Sequence, residues 1–239
     1  MPELTVKLGK REEVAEGTWS FRLRTDEPFD FRPGQTVDLT WPTAPTPDPR
    51  GHKRTFSIAN TPGSDLMIAT RIRESPFKKD LLAAQPGTEI HLEGPFGDFN
   101  LPKNPADVVM LAGGIGVTPF RSMLEDATAR SLTHDLSLIH VNRTPEETPF
   151  LEELRRWTTA NHRFTYVPTM TRPERSKTQW LGLRGRADAA FLEDVLDDGR
   201  ASAFYMVAGP LAFVEATRKA LEQVGVPDGR VRSEDFPGY

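Results

Sequence analysis

The residues best suited to chemistry lie in Gly113-Gly114-Ile115-Gly116-Val117-Thr118-Pro119, which follows the β-branched run 107–110 and precedes Phe120, Met123, Leu124 and Ala127 at helical spacing. Strand, glycine loop and helix in that order predict a phosphate cradle. The three glycines let the backbone turn sharply and approach a ligand, and the helix start directs unpaired N–H groups at an anion. Thr118 suits the N-cap and Pro119 the first helical position. Pro119 stands where the third glycine of a dinucleotide fingerprint would fall, so the motif alone also fits an ordinary tight turn.

The elements around this loop repeat the pattern. From Asp107 the chain alternates strand and helix: a strand over 136–141, a helix over 149–157, a strand over 163–167, a helix over 187–196, a strand over 203–208 and a helix over 211–224. Such alternation predicts a parallel α/β sheet with helices on both faces and ligands at the strand C-terminal ends. Those ends carry the glycine loop, Asn142-Arg143-Thr144, Met170-Thr171-Arg172 and Gly209-Pro210, a set suited to a dinucleotide.

Residues 3 to about 100 show a different period. Short alternating runs at 4–8, 18–23, 36–39, 54–58, 66–72 and 89–92, separated by turns such as Pro33-Gly34 and Pro86-Gly87, predict a six-stranded antiparallel barrel. One amphipathic helix interrupts it at 76–82, with Phe77, Leu81 and Leu82 on one face and a start able to hold phosphate. Residues 41–51 carry Pro42, Pro45, Pro47 and Pro49 and read as a long exposed loop. Turn formers at 94–105 mark a boundary, giving two domains, 1–103 and 104–239.

Composition narrows the partners. A net charge of −4 over 239 residues gives no basic field for nucleic acid, and no apolar run reaches membrane-spanning length. Without cysteine there is no disulfide, thiolate zinc site or iron–sulfur cluster, and the N-terminus lacks a signal pattern; a cytoplasmic location is expected. His52, His91, His134, His140 and His162 show no ligand spacing, so no metal site is predicted.

With Arg54-Thr55-Phe56-Ser57 in the barrel and Gly113–Pro119 in the second half, essentially the whole chain resembles the ferredoxin–NADP reductase superfamily. The resemblance implies that Arg54 pairs with a flavin phosphate, Phe56 packs on the ring and the Ser57 hydroxyl faces flavin N5. It assigns Thr70, Arg71 and Ile72 to a strand end whose backbone faces the flavin, and Lys78 and Lys79, after Ser75-Pro76, to the helix that meets its phosphates. Pro33-Gly34-Gln35 and Gly94-Pro95-Phe96-Gly97 also match. Ala208-Gly209-Pro210 resembles the step beside the nicotinamide, with alanine in place of cysteine, and the tail 234–239 resembles those that place an acid, Glu234, and an aromatic, Phe236, near the flavin.

These matches imply a reductase that binds FAD, with FMN the close alternative, and passes hydride from NADPH or NADH through the flavin to a separate acceptor. Ser57 and Glu234 are the catalytic candidates. Arg143 and Arg172 favour NADPH, since a 2′-phosphate could lie at those strand ends. Lys53, Arg54, Arg71, Arg73, Lys78 and Lys79 form a basic cluster of which some should meet the flavin phosphate and the rest could dock an acidic ferredoxin or flavodoxin; ferric complexes, free flavin or quinones are acceptors that need no patch. A flavin-holding subunit of a larger redox complex, without NAD(P)H activity of its own, is the alternative.

Overall fold

The computed structural model describes residues 3–43, 45–63, 65–104, 106–196 and 202–236. Pro105 and the tail residues Pro237-Gly238-Tyr239 lie outside the described residues. Six strands, β1 (Glu3–Ala15), β2 (Thr18–Arg24), β3 (Thr36–Thr40), β4 (Lys53–Ser57), β5 (Leu66–Arg71) and β6 (Glu89–Phe96), form one antiparallel sheet in the order β4-β3-β6-β1-β2-β5. Val6, Leu23, Val37, Leu39, Ile68, Ile90 and Leu92 fill its interior, as the two-residue period requires. The sheet curls without a closing ladder. Its two edges meet through the Ala59 N–H, which donates to the Met67 carbonyl at 2.7 Å.

Two features depart from the sequence reading. β1 runs well past Leu8, with a register shift between Leu8 and Arg11, so its first half pairs with β6 and the rest with β2. The proline-rich loop is exposed along most of its length but is held down within it: the Trp41 ring is buried 5.9 Å from Phe77, Thr46 bonds the Asp80 carboxylate, and the Asp48 side chain is 3% exposed. The interrupting helix, α1 (Pro76–Ala83), closes the barrel end with Phe77 and Leu81 inward.

The second sheet is parallel throughout, in the order β10-β9-β8-β7-β11-β12. Its strands are β7 (Asp107–Gly113), β8 (Asp135–Asn142), β9 (Phe164–Met170), β10 (Leu183–Arg184), β11 (Phe204–Pro210) and β12 (Val231–Phe236). Its helices are α2 (Val117–Ala129), α3 (Leu151–Ala160), α4 (Ala189–Val195) and α5 (Leu211–Gln223). Alternate residues of β7 face two cores: Val108, Met110 and Ala112 pack with α2 and α3, Val109 and Leu111 with α4 and α5. The strand order reverses at β7, with β8 on one side and β11 on the other, so the loop after β7 sits at the switch point where doubly wound sheets bind ligands.

Two strands go unanticipated. β10 is two residues long, and β12, an exposed edge with the sequence Val-Arg-Ser-Glu-Asp-Phe, carries no apolar alternation. α2 joins the sheets: Phe120 and Met123 share a core with Ala59, Met67, Ala69 and Phe99, and Gly34 N–H donates to Ser122 Oγ at 3.0 Å. Among the described residues no helix is long and apolar enough to cross a membrane, and no group of three His, Asp or Glu side chains is placed to hold a metal ion.

Candidate functional site

β7 delivers the chain to a single 3-10 turn, Gly114–Gly116, from which α2 starts. The three glycines divide the work. A Cβ on Gly113 would stand 2.6 Å from the Phe213 ring, and one on Gly116 would run into the Ala208 carbonyl, 2.7 Å from Gly209 Cα. Gly113 therefore admits the Phe213 ring and Gly116 the backbone of β11, a correction to the expectation that all three admit a ligand. Gly114, at φ +55°, has only Asn142 Oδ1 nearby, at 3.9 Å, and is the open position.

Thr118 and Pro119 are also corrected. Gly116 is the N-cap, Thr118 lies inside the first turn with its hydroxyl donating to the Ile115 carbonyl at 3.0 Å, and Pro119 is the third helical residue. The side chain that steadies the loop is His140 of β8, which the sequence reading treated as silent. Its Nε2 lies 2.9 Å from the Gly114 carbonyl and its Nδ1 3.0 Å from the Tyr166 hydroxyl. A carbonyl only accepts, so Nε2 carries the hydrogen and Nδ1 accepts from Tyr166. Burial drives the imidazole down to about 4, which keeps it neutral.

Where the sheets meet, a cavity of about 260 Å³ gathers residues far apart in sequence: Thr36, Lys53, Arg54, Thr55, Phe56, Ser57, Ala69 and Lys78 from the first sheet and its helix, Ile115 and Thr118 from the glycine loop and α2, and Glu234, Asp235 and Phe236 from β12. Ser57 Oγ and Glu234 Oε2 are buried with no hydrogen-bond partner among the described residues. An unsatisfied buried polar group costs about 1–3 kcal/mol, and two on one cavity mark where a ligand supplies the missing partners. Burial, reinforced by Asp235 and Asp98, pushes the Glu234 carboxyl up to about 7, so it holds a proton near neutrality.

A second cavity, of about 440 Å³, adjoins the first through Lys78 and is lined by Asp48, Pro49, Arg50, Arg73, Glu74, Ser75 and Pro76 at the start of α1. Burial, then the Arg50, Arg54 and Arg73 guanidiniums, brings Lys78 down to about 7. Ser75 Oγ is buried here with no hydrogen-bond partner among the described residues. The cleft thus has an aromatic end carrying two orphaned polar atoms and a cationic end at a helix start. A planar ring system bearing a diphosphate, as in FAD, matches both.

Arg54 differs from expectation. Its Nη2 donates to Asp48 Oδ2 at 2.5 Å, its Nη1 to the carbonyls of Arg50, Gly51 and Lys53, and its guanidinium lies 5.5 Å from the Phe77 ring centre. The proline-rich loop supplied this anion unannounced; the only cue is an acid six residues before the arginine.

Other anticipated residues lie off the cavities. Thr70 is buried in β5, Ile72 follows it, and Arg71 pairs with Glu147 of the second half. Lys79 is exposed and paired with Glu74. Gly209 and Pro210 end β11 against Gly113 rather than following the strand. Arg143 and Arg172 are exposed on adjacent loops, the Arg172 N–H donating to the Arg143 carbonyl at 2.9 Å. The six cations do not form one free basic surface: Lys53 bridges Asp38 and Glu93, Arg54, Arg71 and Lys79 are each ion-paired, Lys78 is buried, and Arg73 is exposed at the edge of the second cavity.

The family described as Oxidoreductase NAD-binding domain matches residues 110–219. The glycine betaine monooxygenase reductase subunit of Chromohalobacter salexigens is 29% identical over 243 residues, covering 94% of this chain; the chain spans 62% of that subunit. The crystal structure of the cytochrome P450 reductase GcoB of Amycolatopsis superposes with a TM-score of 0.83 at 25% identity over 98% of this chain and 70% of that one. A ferredoxin NADP+ reductase from Neisseria gonorrhoeae, solved with bound FAD and NADP, gives 0.81 at 23% identity over 98% and 99%. The curled antiparallel sheet, the parallel sheet reversing at its glycine loop and the solved structures that share this fold bear out the resemblance to the ferredoxin–NADP reductase superfamily carried by Arg54–Ser57 and Gly113–Pro119.

Proposed function

We propose that the chain is an NAD(P)H-dependent flavoprotein reductase that serves a separate acceptor protein. When bound, a flavin supplies the redox chemistry, accepting a hydride from a reduced nicotinamide and releasing electrons to the acceptor. The observation that carries this reading is the pair of orphaned polar atoms, Ser57 Oγ and Glu234 Oε2, on one cavity between the two sheets.

The chain's own residues bind, orient and hold protons. Lys78, Arg50, Arg73 and Ser75 Oγ hold the diphosphate of FAD at the start of α1, and Phe56 and Phe236 flank the ring end of the cleft. The Ser57 hydroxyl donates a hydrogen bond into the cavity, and the protonated Glu234 carboxyl stores a proton beside it. The nicotinamide nucleotide binds across the switch point at Gly114 and Gly209-Pro210, and Arg143 and Arg172 select NADPH through its 2′-phosphate. The division of labour follows the proposed domains, flavin on 1–103 and nucleotide on 104–239. Relatives named as oxygenase reductase subunits support an acceptor of ferredoxin or oxygenase-component type.

The purified protein is expected to be yellow, and heating should release FAD identifiable by mass. Ser57→Ala should slow flavin reduction by NADPH more than tenfold in stopped flow while changing flavin affinity less than threefold. A colourless protein that gains no thermal stability from added FAD or FMN refutes the reading.

A further inference from the structure

The donors at the start of α1 are already occupied by an anion of the chain's own. Asp48 Oδ2 accepts from Arg54 Nη2 at 2.5 Å and from the Phe77 N–H, in the first turn of α1, at 3.3 Å, while Oδ1 accepts from the Arg50 N–H at 2.9 Å. The two side chains are 3% and 14% exposed. A guanidinium and a helix-start N–H converging on one oxygen of an acid, with a loop N–H on its other oxygen, is a donor set that also suits a phosphate ester.

The surroundings are built for more negative charge than Asp48 provides. Arg50, Arg73 and Lys78 line the same cavity, and Ser75 Oγ, buried in its wall, has no partner among the described residues. Although burial opposes it, the N–H groups of Arg50 and Phe77 and the Arg54 guanidinium hold the Asp48 carboxyl below the usual range, so it is charged at neutral pH. The loop that carries it is clipped to α1 itself: the Thr46 N–H and hydroxyl donate to the Asp80 carboxylate at 3.0 and 2.8 Å.

We propose that Asp48 is a resident counter-anion in the cofactor's phosphate subsite, which an incoming diphosphate must displace, so that the 42–51 loop sets the affinity for flavin. This rests on the flavin reading for the identity of the ligand, but not for the competition itself. Displacement transfers Arg54 and the Phe77 N–H from carboxylate to phosphate and releases the Thr46 clip. Asp48 thereby limits affinity rather than supporting it.

Asp48→Asn keeps the shape and the acceptor for the Arg50 N–H but removes the charge. Thr46→Val leaves the ion pair intact and loosens the clip, serving if the first variant folds poorly. Two probes are used on the apo protein: inorganic pyrophosphate in thermal denaturation, and FAD in a fluorescence titration. Both variants are expected to need at least tenfold less pyrophosphate for the same rise in Tm, and to bind FAD at least tenfold more tightly. Equal or weaker pyrophosphate protection in both variants overturns the proposal whatever FAD does. Tighter pyrophosphate with no FAD binding by any form upholds the exchange and refutes the flavin reading instead. Tighter pyrophosphate with unchanged or weaker FAD binding refutes control of flavin affinity by this loop.

Discussion

Lys78 offers the sharpest test of the electrostatics at the start of α1. Burial and three guanidiniums bring its ammonium from 10.5 down to about 7. At ~1.4 kcal/mol per pH unit, that shift makes Lys78 cost the apo fold about 4 kcal/mol at pH 7. The unfolded chain binds the extra proton, so the penalty is full below pH 7, shrinks as pH rises toward 10.5 and disappears above it. Lys78→Met keeps the apolar stem and removes the ammonium. After allowance for relaxation, the apo variant should be about 2–4 kcal/mol more stable than wild type at pH 7, on the order of 10 °C in Tm. At pH 10 the gap should fall below about 1 kcal/mol. The same variant should bind FAD at least tenfold more weakly, because the charge that burdens the apo fold is the one a diphosphate recruits. Denaturant unfolding of both apo proteins at pH 7 and pH 10 decides the matter: equal stabilities at pH 7, or a gap unchanged at pH 10, refute the reasoning.

Glu234 reverses the pH profile of an ordinary carboxylate: its proton is held up to about pH 7 in the fold but lost near 4.5 when unfolded, so its contribution to stability falls as pH rises through that window. Glu234→Gln should flatten the slope between pH 4.5 and 7 and be more stable than wild type at pH 8, by at most about 3 kcal/mol; an unchanged slope would show the carboxyl to be ionised. Arg143→Ala should cut kcat/KM for NADPH at least tenfold and leave NADH nearly untouched, and equal losses with both nucleotides would remove the 2′-phosphate from its assignment. Gly116→Ala forces a Cβ into the Ala208 carbonyl and should cost more than 2 kcal/mol in denaturant unfolding, whereas a neutral outcome would mean that β7 and β11 are not held at this separation.

Much of the fold could be read from period alone, because a curled sheet with one wet face and a parallel sheet with two dry faces leave different alternations in the chain. The glycine loop was legible as a turn at the switch point, but not in its inner division of labour: whether a glycine faces a ligand or Phe213 depends on where α5 packs, which spacing does not encode. Thr118 misled because a hydroxyl near a helix start fits the N-cap pattern equally well when it lies inside the first turn, bonded back to Ile115. β12 was invisible as a strand, since an exposed edge needs backbone partners and no apolar pattern, yet its Glu234 and Phe236 were placed on the cavity by resemblance. Asp48 and His140 stayed hidden for a shared reason: each matters through a partner that only folding brings into contact, Arg54 across a loop and Gly114 on a neighbouring strand's loop.

The shared packing around α2 bears on how the molecule can be taken apart. Phe120 and Met123 belong to one continuous core with Met67, Ala69 and Phe99, and the Arg121 guanidinium reaches across to the Ala59 carbonyl. A cut at the turn-rich stretch near residue 100 would leave wet, apolar scars on both fragments. The seam therefore behaves as a weld rather than a hinge. Groups seated on either side of it would keep a separation that is set when the chain folds, not when a ligand arrives.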